Sequence, residues 1–386
     1  MNRRLYSVYT LTSALRIAGD SIESVALPWS LLQSTGSLVS IGGFALFTHI
    51  PWVVLPPLLG RTLDKTKKKV RLAFLALLLQ AFLAVAIVPL SSNVWALYLL
   101  VSGISALDIL HRYYGLSLIA TMTLEESELQ RLNATLATVG NAVSLMAFPL
   151  AGFLAYRFGI KEMLLDAVLL LLGAFSLIPY LKVEVKRERR EEVRGTKMKI
   201  DKRLFLGVLA SVLIFNSAPG SFRIFVFASL RTLNRGEVIY GILQSLTTAG
   251  SLVAVAGLTY LAGRRGVGLK RPLITGMILQ SVALLLAGLP AVMALFPAVL
   301  LVGFGGELLN VSFDSLMQKV IPLESLGTAR GLFDALATLV IPLSQLVFAW
   351  AIEKGIAVLT ASILAAGLAC AGVALSYVYF VKLYTA

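Results

Sequence analysis

The sequence predicts an all-α membrane protein with twelve transmembrane helices in two pseudo-symmetric six-helix bundles, and three observations lead to this fold class. The chain of 386 residues is 58% hydrophobic and 14% charged, with a mean hydropathy of +0.86. Apolar stretches of about 20 residues, the length that crosses a bilayer, follow one another along the whole chain. Matching motifs recur about 200 residues apart, which indicates an internal duplication of the kind found in transporters.

The apolar stretches fall into two sets of six. The first set lies near residues 6–32, 38–60, 70–90, 94–121, 132–156 and 162–181. The second set lies near residues 203–229, 237–262, 270–289, 292–318, 329–352 and 356–381. These spans predict an N-terminal bundle over residues 1–181, a charged linker over 182–202 and a C-terminal bundle over 203–386.

The distribution of basic residues predicts the orientation of the spans. With both termini in the cytoplasm, most of the 34 Lys and Arg residues fall in cytoplasmic loops. Outer loops then carry only Arg157, Lys161, Arg231, Arg235 and Lys354. Because cytoplasmic loops are enriched in Lys and Arg, we expect cytoplasmic termini and a multi-pass protein of the cell (inner or plasma) membrane.

Two series of short motifs support the duplication. Glu126-Ser127 near the fifth span is matched by Glu324-Ser325 near the eleventh. Pro149-Leu150 further along is matched by Pro342-Leu343. The matches occur in the same order in both halves, which indicates two related bundles.

Composition excludes several classes of protein. The net charge of +14 is concentrated in short connectors and not on one face of a soluble domain, so no nucleic-acid partner is expected. The single cysteine, Cys370, excludes an intrachain disulfide and a thiol metal cluster. We expect no cofactor and no resident metal. A chain with two such halves can work as a monomer.

Ionisable and amide residues inside the apolar spans are the candidate functional residues. Charged groups at bilayer depth are costly and usually mark a substrate or ion pathway, so they favour a transporter. Arg16, Asp20 and Glu23 are spaced i, i+4 and i+7 and therefore share one helix face. The complete set is Arg16, Asp20, Glu23, Asp108, His111, Arg112, Asn216, Arg223, Glu307, Asn310 and Asp314.

Antiparallel first and fourth spans place these charges at similar depths. The expected ion pairs are Arg16 with Asp108 and Asp20 with Arg112. A proton that neutralises Asp20 or Asp108 would break such a pair, which predicts proton coupling. Static pairs that only hold the bundle together are the alternative. The sequence does not separate proton from sodium coupling.

The connector after the second span carries a motif, Gly60-Arg61-Thr62-Leu63-Asp64-Lys65-Thr66-Lys67-Lys68-Lys69. It resembles the signature loop of the major facilitator superfamily. The resemblance implies a cytoplasmic gate formed by Gly60, Asp64, Lys65, Lys68 and Lys69. It also implies that the first, fourth, seventh and tenth spans line a central cavity for a small-molecule substrate.

Further motifs resemble the macrolide-efflux and siderophore-exporter branch of that superfamily. They are Gly19-Asp20, Ala26-Leu27-Pro28-Trp29, Leu132-Asn133-Ala134 and Phe148-Pro149-Leu150-Ala151-Gly152. This likeness implies an antiporter motif of Gly140, Pro149 and Gly152 in the fifth span, and hence export. The candidate residues include five acids and three arginines, and this excess of negative charge favours lipophilic substrates that are cationic or neutral.

Three alternatives stay open. The Gly19-Asp20 start also resembles ferroportins, which suggests a divalent metal exporter with oxygen ligands from Glu307, Asn310 and Asp314. An exporter of an anionic metabolite or siderophore is the second. A membrane-embedded enzyme that uses Asp108 and His111 as acid and base is the third, although no phosphate-binding loop or metal-spaced histidine pair supports it. Because a phosphate-binding loop would also be needed to bind ATP, its absence from the sequence favours an ion gradient as the energy source.

Overall fold

The computed structural model of the protein describes residues 3–66, 68–119, 126–183, 202–265, 270–320 and 323–385. These residues form α-helices and short 3-10 turns, with no strand among them. The helices of the first half are α1 (Arg3–Thr35), α2 (Leu38–Lys65), α3 (Lys69–Leu90), α4 (Val94–Ile119), α5 (Glu126–Phe158) and α6 (Met163–Ser176). Those of the second half are α7 (Lys202–Asn216), α8 (Phe222–Leu230), α9 (Gly236–Arg265), α10 (Lys270–Ala287), α11 (Leu295–Val320), α12 (Leu323–Glu353) and α13 (Val358–Thr385).

Many of these helices can cross a bilayer. Nine stretches within the described ranges are long and apolar enough, and the one over Arg131–Tyr180 contains most of α5 and all of α6. Helix α1 is not among them, and its central part carries Arg16, Asp20 and Glu23. The all-helical, multi-pass fold is confirmed. The count of twelve crossings and the cytoplasmic position of the termini stay predictions.

The predicted seventh span is broken into two helices. Helix α7 ends at Asn216, a 3-10 turn covers Pro219–Ser221, and α8 begins at Phe222. Pro219 has no N–H to donate, and a Cβ on Gly220 would lie 2.6 Å from the carbonyl oxygen of Ile341 on α12. A Pro-Gly pair is a known helix breaker, so the signal was present in the sequence.

The predicted signature loop is mostly helix. Helix α2 continues through Gly60 and Asp64 to Lys65, and α3 begins again at Lys69. Lys69 is buried, with 2% of its surface exposed, so it does not behave as a solvated loop lysine. Lys68 is exposed. Lys67 and the side chains of residues 57–65 lie outside the described part, as does the linker over 184–201.

The chain divides into two compact units, and each takes in a short piece of the other sequence half. The first unit contains Met1–Gly36, Phe47–Arg190 and Glu237–Ile242. The second contains Ser37–Leu46, Glu191–Gly236 and Leu243–Ala386. In the first unit α1 packs against α5 and α6, and α3 packs against α4 and α6. In the second, α10 packs against α11 and α13, and α7 packs against α13.

The predicted motif of α5 lies in a close helix contact within the first unit. A Cβ on Gly152 would lie 2.6 Å from the carbonyl oxygen of Glu237, and one on Gly241 would lie 2.4 Å from that of Phe148. Two glycines therefore let the backbones of α5 and α9 touch beside Pro149, as small residues do in membrane helix pairs. A Cβ on Gly140 would meet only the flexible end of Ile17, at 3.0 Å.

Two glycines on α9 provide a matched test of helix packing in the second unit. A Cβ on Gly250 would lie 2.5 Å from the carbonyl oxygen of Leu300, whereas one on Gly257 would meet nothing within 4 Å. We expect Gly250→Ala to destabilise the protein by about 1–3 kcal/mol, because overpacking forces α9 and α11 apart. Gly257→Ala should be neutral or slightly stabilising, because Ala favours helix. Thermal unfolding in detergent measures both, and equal effects would contradict the close contact.

Candidate functional site

A partly buried cluster of charges joins α1 to α4 in the first unit. The Arg16 guanidinium donates hydrogen bonds to the carboxylates of Asp20 and Asp108. The exposed fractions of the side chains are 13% for Arg16, 18% for Asp108 and 45% for Asp20. Asp20 lies one turn after Arg16 on the same helix, which brings it within reach of the guanidinium. One cation is therefore shared by two anions.

Only one of the two expected ion pairs is formed. Arg16 does pair with Asp108, but Asp20 also pairs with Arg16, so the predicted pair of Asp20 with Arg112 is wrong. Arg112 is exposed and lies over the ring of Trp52, with 5.5 Å between the guanidinium carbon and the ring centroid. This cation–π contact on α2 gives Arg112 another partner.

His111 is packed between helices in the first unit. Only 1% of its surface is exposed, and its ring stacks on that of Tyr9 at 5.9 Å and 22°. Tyr9 lies on α1, so the stack reinforces the contact of α1 with α4. Among the described residues, no hydrogen bond joins either ring nitrogen of His111 to Asp108.

Two acidic residues that sequence reasoning missed lie against α1. Glu162 and Asp166 are 3% and 2% exposed, at the start of α6. Both carboxylate oxygens of Glu162 and the Oδ2 of Asp166 have no hydrogen-bond partner in the described structure. A Cβ on Gly19 would lie 2.1 Å from the Oδ1 of Asp166, so the glycine makes room for this carboxyl group. The signal was an acidic pair spaced i, i+4 where an apolar span begins.

A cavity of about 370 Å³ lies inside the second unit. This volume is within the range of small-molecule sites. Helices α7, α8, α10, α11, α12 and α13 contribute to its wall, and the break between α7 and α8 opens onto it. Its polar lining consists of Asn216, Arg223, Gln280, Asn310, Asp314, Gln345 and Ser376.

Four of the predicted residues are thus brought together in this wall, namely Asn216, Arg223, Asn310 and Asp314. Glu307 is on α11 but is not among the residues that line the cavity. Glu23 belongs to the first unit, near Asp20 and Asp166. Sequence reasoning missed the other neutral polar residues of the wall, Gln280, Gln345 and Ser376, because single Gln and Ser residues in apolar helices give no distinctive pattern.

The polar groups of the cavity are suited to hydrogen bonding. Gln345 Oε1 and Ser376 Oγ are buried and have no partner among the described residues. Arg223 lies over the ring of Phe227 on its own helix, with 5.9 Å to the centroid. The remaining wall is largely apolar and includes Phe215, Phe222 and Phe313. One arginine and one aspartate balance each other, so the wall carries no excess of acid.

The described residues contain no group of three or more His, Cys, Asp or Glu side chains placed to hold a metal ion. The predicted oxygen set of Glu307, Asn310 and Asp314 includes only two acids, and Glu307 is absent from the cavity wall. The divalent-metal alternative therefore lacks a ligand set in this part of the chain.

Comparisons with known proteins agree on a transporter fold. Residues 9–345 match the family described as the Major Facilitator Superfamily. The structure is similar to that of the nucleoside transporter NupG, with a TM-score of 0.74, 13% identity, and coverage of 100% of both chains. No match was found among curated proteins.

Two further structures are similar over nearly the whole chain. A bacterial homologue of the iron transporter ferroportin in an inward-facing state has a TM-score of 0.70 and 18% identity, and covers 99% of both chains. The POT family transporter PepTSo has a TM-score of 0.76 and 11% identity, with coverage of 100% of this chain and 99% of that one. Identities this low relate the folds alone. Together the matches point to a transporter and not to an enzyme.

Proposed function

Because the chain belongs to the major facilitator superfamily, we propose that it is a proton-coupled exporter of lipophilic small molecules, neutral or cationic, in the plasma membrane. The proposal includes two six-helix bundles that alternate access to a substrate site, with both termini in the cytoplasm. Two bundles built from repeated halves are the usual basis of such a cycle. The observation that carries the coupling is the sharing of Arg16 between Asp20 and Asp108.

The shared arginine leaves one negative charge uncompensated. A single guanidinium can balance one carboxylate, and a second, partly buried carboxylate without a counter-charge is costly. A proton on either carboxyl group removes that excess. Asp20 is the more exposed of the two acids, at 45% against 18% for Asp108, so we assign the exchangeable proton to Asp20.

Protonation of Asp20 would change which helices are tied together. With Asp20 neutral, Arg16 keeps its bond to Asp108 and α1 is held to α4. With Asp20 ionised, the guanidinium is divided between a partner on its own helix and one on α4. A proton therefore biases the strength of one interhelical contact, which is how a ligand can shift a conformational equilibrium.

The cavity of the second unit supports the substrate part of the proposal. Its apolar wall with a few convergent polar groups is typical of a site for small organic molecules. Gln345 Oε1 and Ser376 Oγ can each bond a polar substituent of the substrate. The balance of Arg223 and Asp314 supports the neutral members of the proposed substrate class, because these two charges cancel in the wall.

The test is transport of a lipophilic cationic dye and of a neutral lipophilic analogue in proteoliposomes under an imposed pH gradient. We expect the gradient to drive dye movement by the wild type. Asp20→Asn should reduce this gradient-driven rate at least about 10-fold, as removal of one positioned proton-transfer group does elsewhere. Glu353→Gln, at an exposed carboxylate that accepts a bond from Ser37, is the control and should leave the rate unchanged.

Other outcomes of this experiment count against defined parts of the proposal. Full gradient dependence in Asp20→Asn would contradict the role of Asp20. Transport that is driven by a sodium gradient and not by a pH gradient would show that sodium, and not the proton, is the coupling ion. Absence of movement for both dyes would contradict the substrate class.

A further inference from the structure

We propose that Glu162 and Asp166 form a second proton-binding site, with Glu23 as its neighbour on α1, separate from the cluster around Arg16. This site holds a proton in the folded protein. The proton binding does not depend on the cargo, whereas the use of the site in transport rests on the function proposed above.

The register of α1 against α6 places Glu23 on the side of α1 that faces the acidic pair. The Thr12 hydroxyl lies 2.8 Å from the Ser176 hydroxyl and 3.4 Å from the carbonyl oxygen of Gly173. One end of α6 is therefore beside Thr12, while Asp166 abuts Gly19 seven residues further along α1. The two helices run antiparallel, and this register extended by one turn brings Glu23 to the level of Glu162 along α1. Positions 12, 19 and 23 share one face of a helix, so Glu23 faces α6.

Three carboxyl oxygens at the start of α6 have no hydrogen-bond donor among the described residues. Glu162 occupies the N-cap position of α6, yet its side chain makes no capping hydrogen bond. Neither of its carboxylate oxygens nor the Oδ2 of Asp166 has a partner in the described residues. An ionised carboxylate buried in this way is energetically unfavourable, and the nearby second acid makes ionisation less favourable still. One proton removes a charge and supplies the missing donor at once.

The groups that face this pair are mostly acidic. Helix α1 brings Arg16, Asp20 and Glu23 to the contact, and Arg16 is already bound to Asp20 and Asp108. The nearest basic residues in sequence, Arg157 and Lys161, are exposed. Helix α3 also contacts the 3-10 turn that precedes α6. The ionisable residues of α3 lie in the first turn of α3, at the opposite end of that helix. Among the described residues, these neighbours therefore offer no unpaired cation to replace the proton.

A proton fits the site better than a metal ion. Ions such as Ca²⁺ take six or more oxygen ligands, and no group of three or more metal-ligating side chains occurs in the described residues. A proton needs only two oxygens. Glu162 and Asp166 are one helical turn apart, a spacing at which side chains meet.

The site also connects to the charged cluster. Asp20 lies three residues from Glu23, about 5 Å along α1 at the usual rise per residue. In the proposed orientation α6 starts at the outer side of the membrane. Glu162, Asp166 and Glu23 then form a series of proton-binding groups that leads from that side towards Asp20.

The experiment is infrared difference spectroscopy of the purified protein in detergent between mildly acidic and alkaline pH. Protonated carboxyl groups absorb apart from carboxylates. We expect the protonated-carboxyl band of the wild type to contain one component that Glu162→Gln/Asp166→Asn removes, with smaller losses in the single variants. Asp20→Asn should keep that component and remove only the one that belongs to Asp20. The exposed-acid control Glu353→Gln should keep both.

Separate controls test whether the variants fold and whether the site binds sodium instead of a proton. The amide substitutions keep side-chain size and supply N–H donors, so monodispersity and thermal unfolding should be at least as good as in the wild type. A band unchanged in the double variant would overturn the proposal. Loss of the wild-type band on addition of sodium would also overturn it, in favour of a sodium site. A failed dye assay with the band intact would contradict the transport proposal and leave this one standing.

Discussion

Replacing Arg16 with methionine is expected to destabilise the folded protein by about 3–5 kcal/mol, the cost of removing one partner of a buried ion pair. Asp20 and Asp108 would then face each other without their shared cation. Methionine keeps the length and apolar contacts of the side chain, so the loss is mainly electrostatic. Thermal unfolding in detergent gives the stability, and proteoliposome transport gives the function.

A triple variant separates the structural role of the cluster from its coupling role. Arg16→Met/Asp20→Asn/Asp108→Asn has no buried charge at these positions, and replacement of a whole buried ion pair is often neutral or stabilising. We expect the stability to return while pH-driven transport stays lost. A triple variant that regains pH-driven transport would show that the three charges only hold α1 to α4.

The second large effect is expected from the cavity of the second unit. Gln345→Leu together with Ser376→Ala should weaken binding of a transported substrate by roughly 30-fold, because two hydrogen bonds of about 1 kcal/mol each are lost. The same change removes two buried polar atoms that have no partner among the described residues. The thermal stability of the substrate-free protein should therefore stay the same or rise.

The combination of these two readouts tests whether the cavity binds substrate. Binding is measured by substrate-induced change in tryptophan fluorescence and stability by thermal unfolding of the substrate-free protein. Thr259→Val is the control, since this exposed hydroxyl bonds the Val255 carbonyl of its own helix and lies outside the cavity wall. Lower stability with unchanged affinity would mean that Gln345 and Ser376 serve the fold.

Much of the architecture could be predicted from the sequence because bilayer crossing depends on local properties. Helix length and apolar composition predicted the helical segments to within a few residues at most boundaries. The seventh span is the exception, since the Pro219-Gly220 pair breaks it into α7 and α8. The signature loop also differs, because α2 continues to Lys65. In both places the backbone conformation depends on a short motif more than on average hydropathy.

The sequence by itself determined the class of the protein, the positions of its apolar helices, and the cost of Arg16, Asp20 and Asp108 inside them. The tertiary structure decided which groups these side chains contact and which polar atoms are left without a contact. Packing of α1 on α6 placed Gly19 against Asp166 and left Glu162 buried without a donor among the described residues. Packing of six helices enclosed the cavity with Gln345 and Ser376. Hydropathy is a property of each segment alone, whereas burial and the lack of a partner depend on residues far apart in the chain.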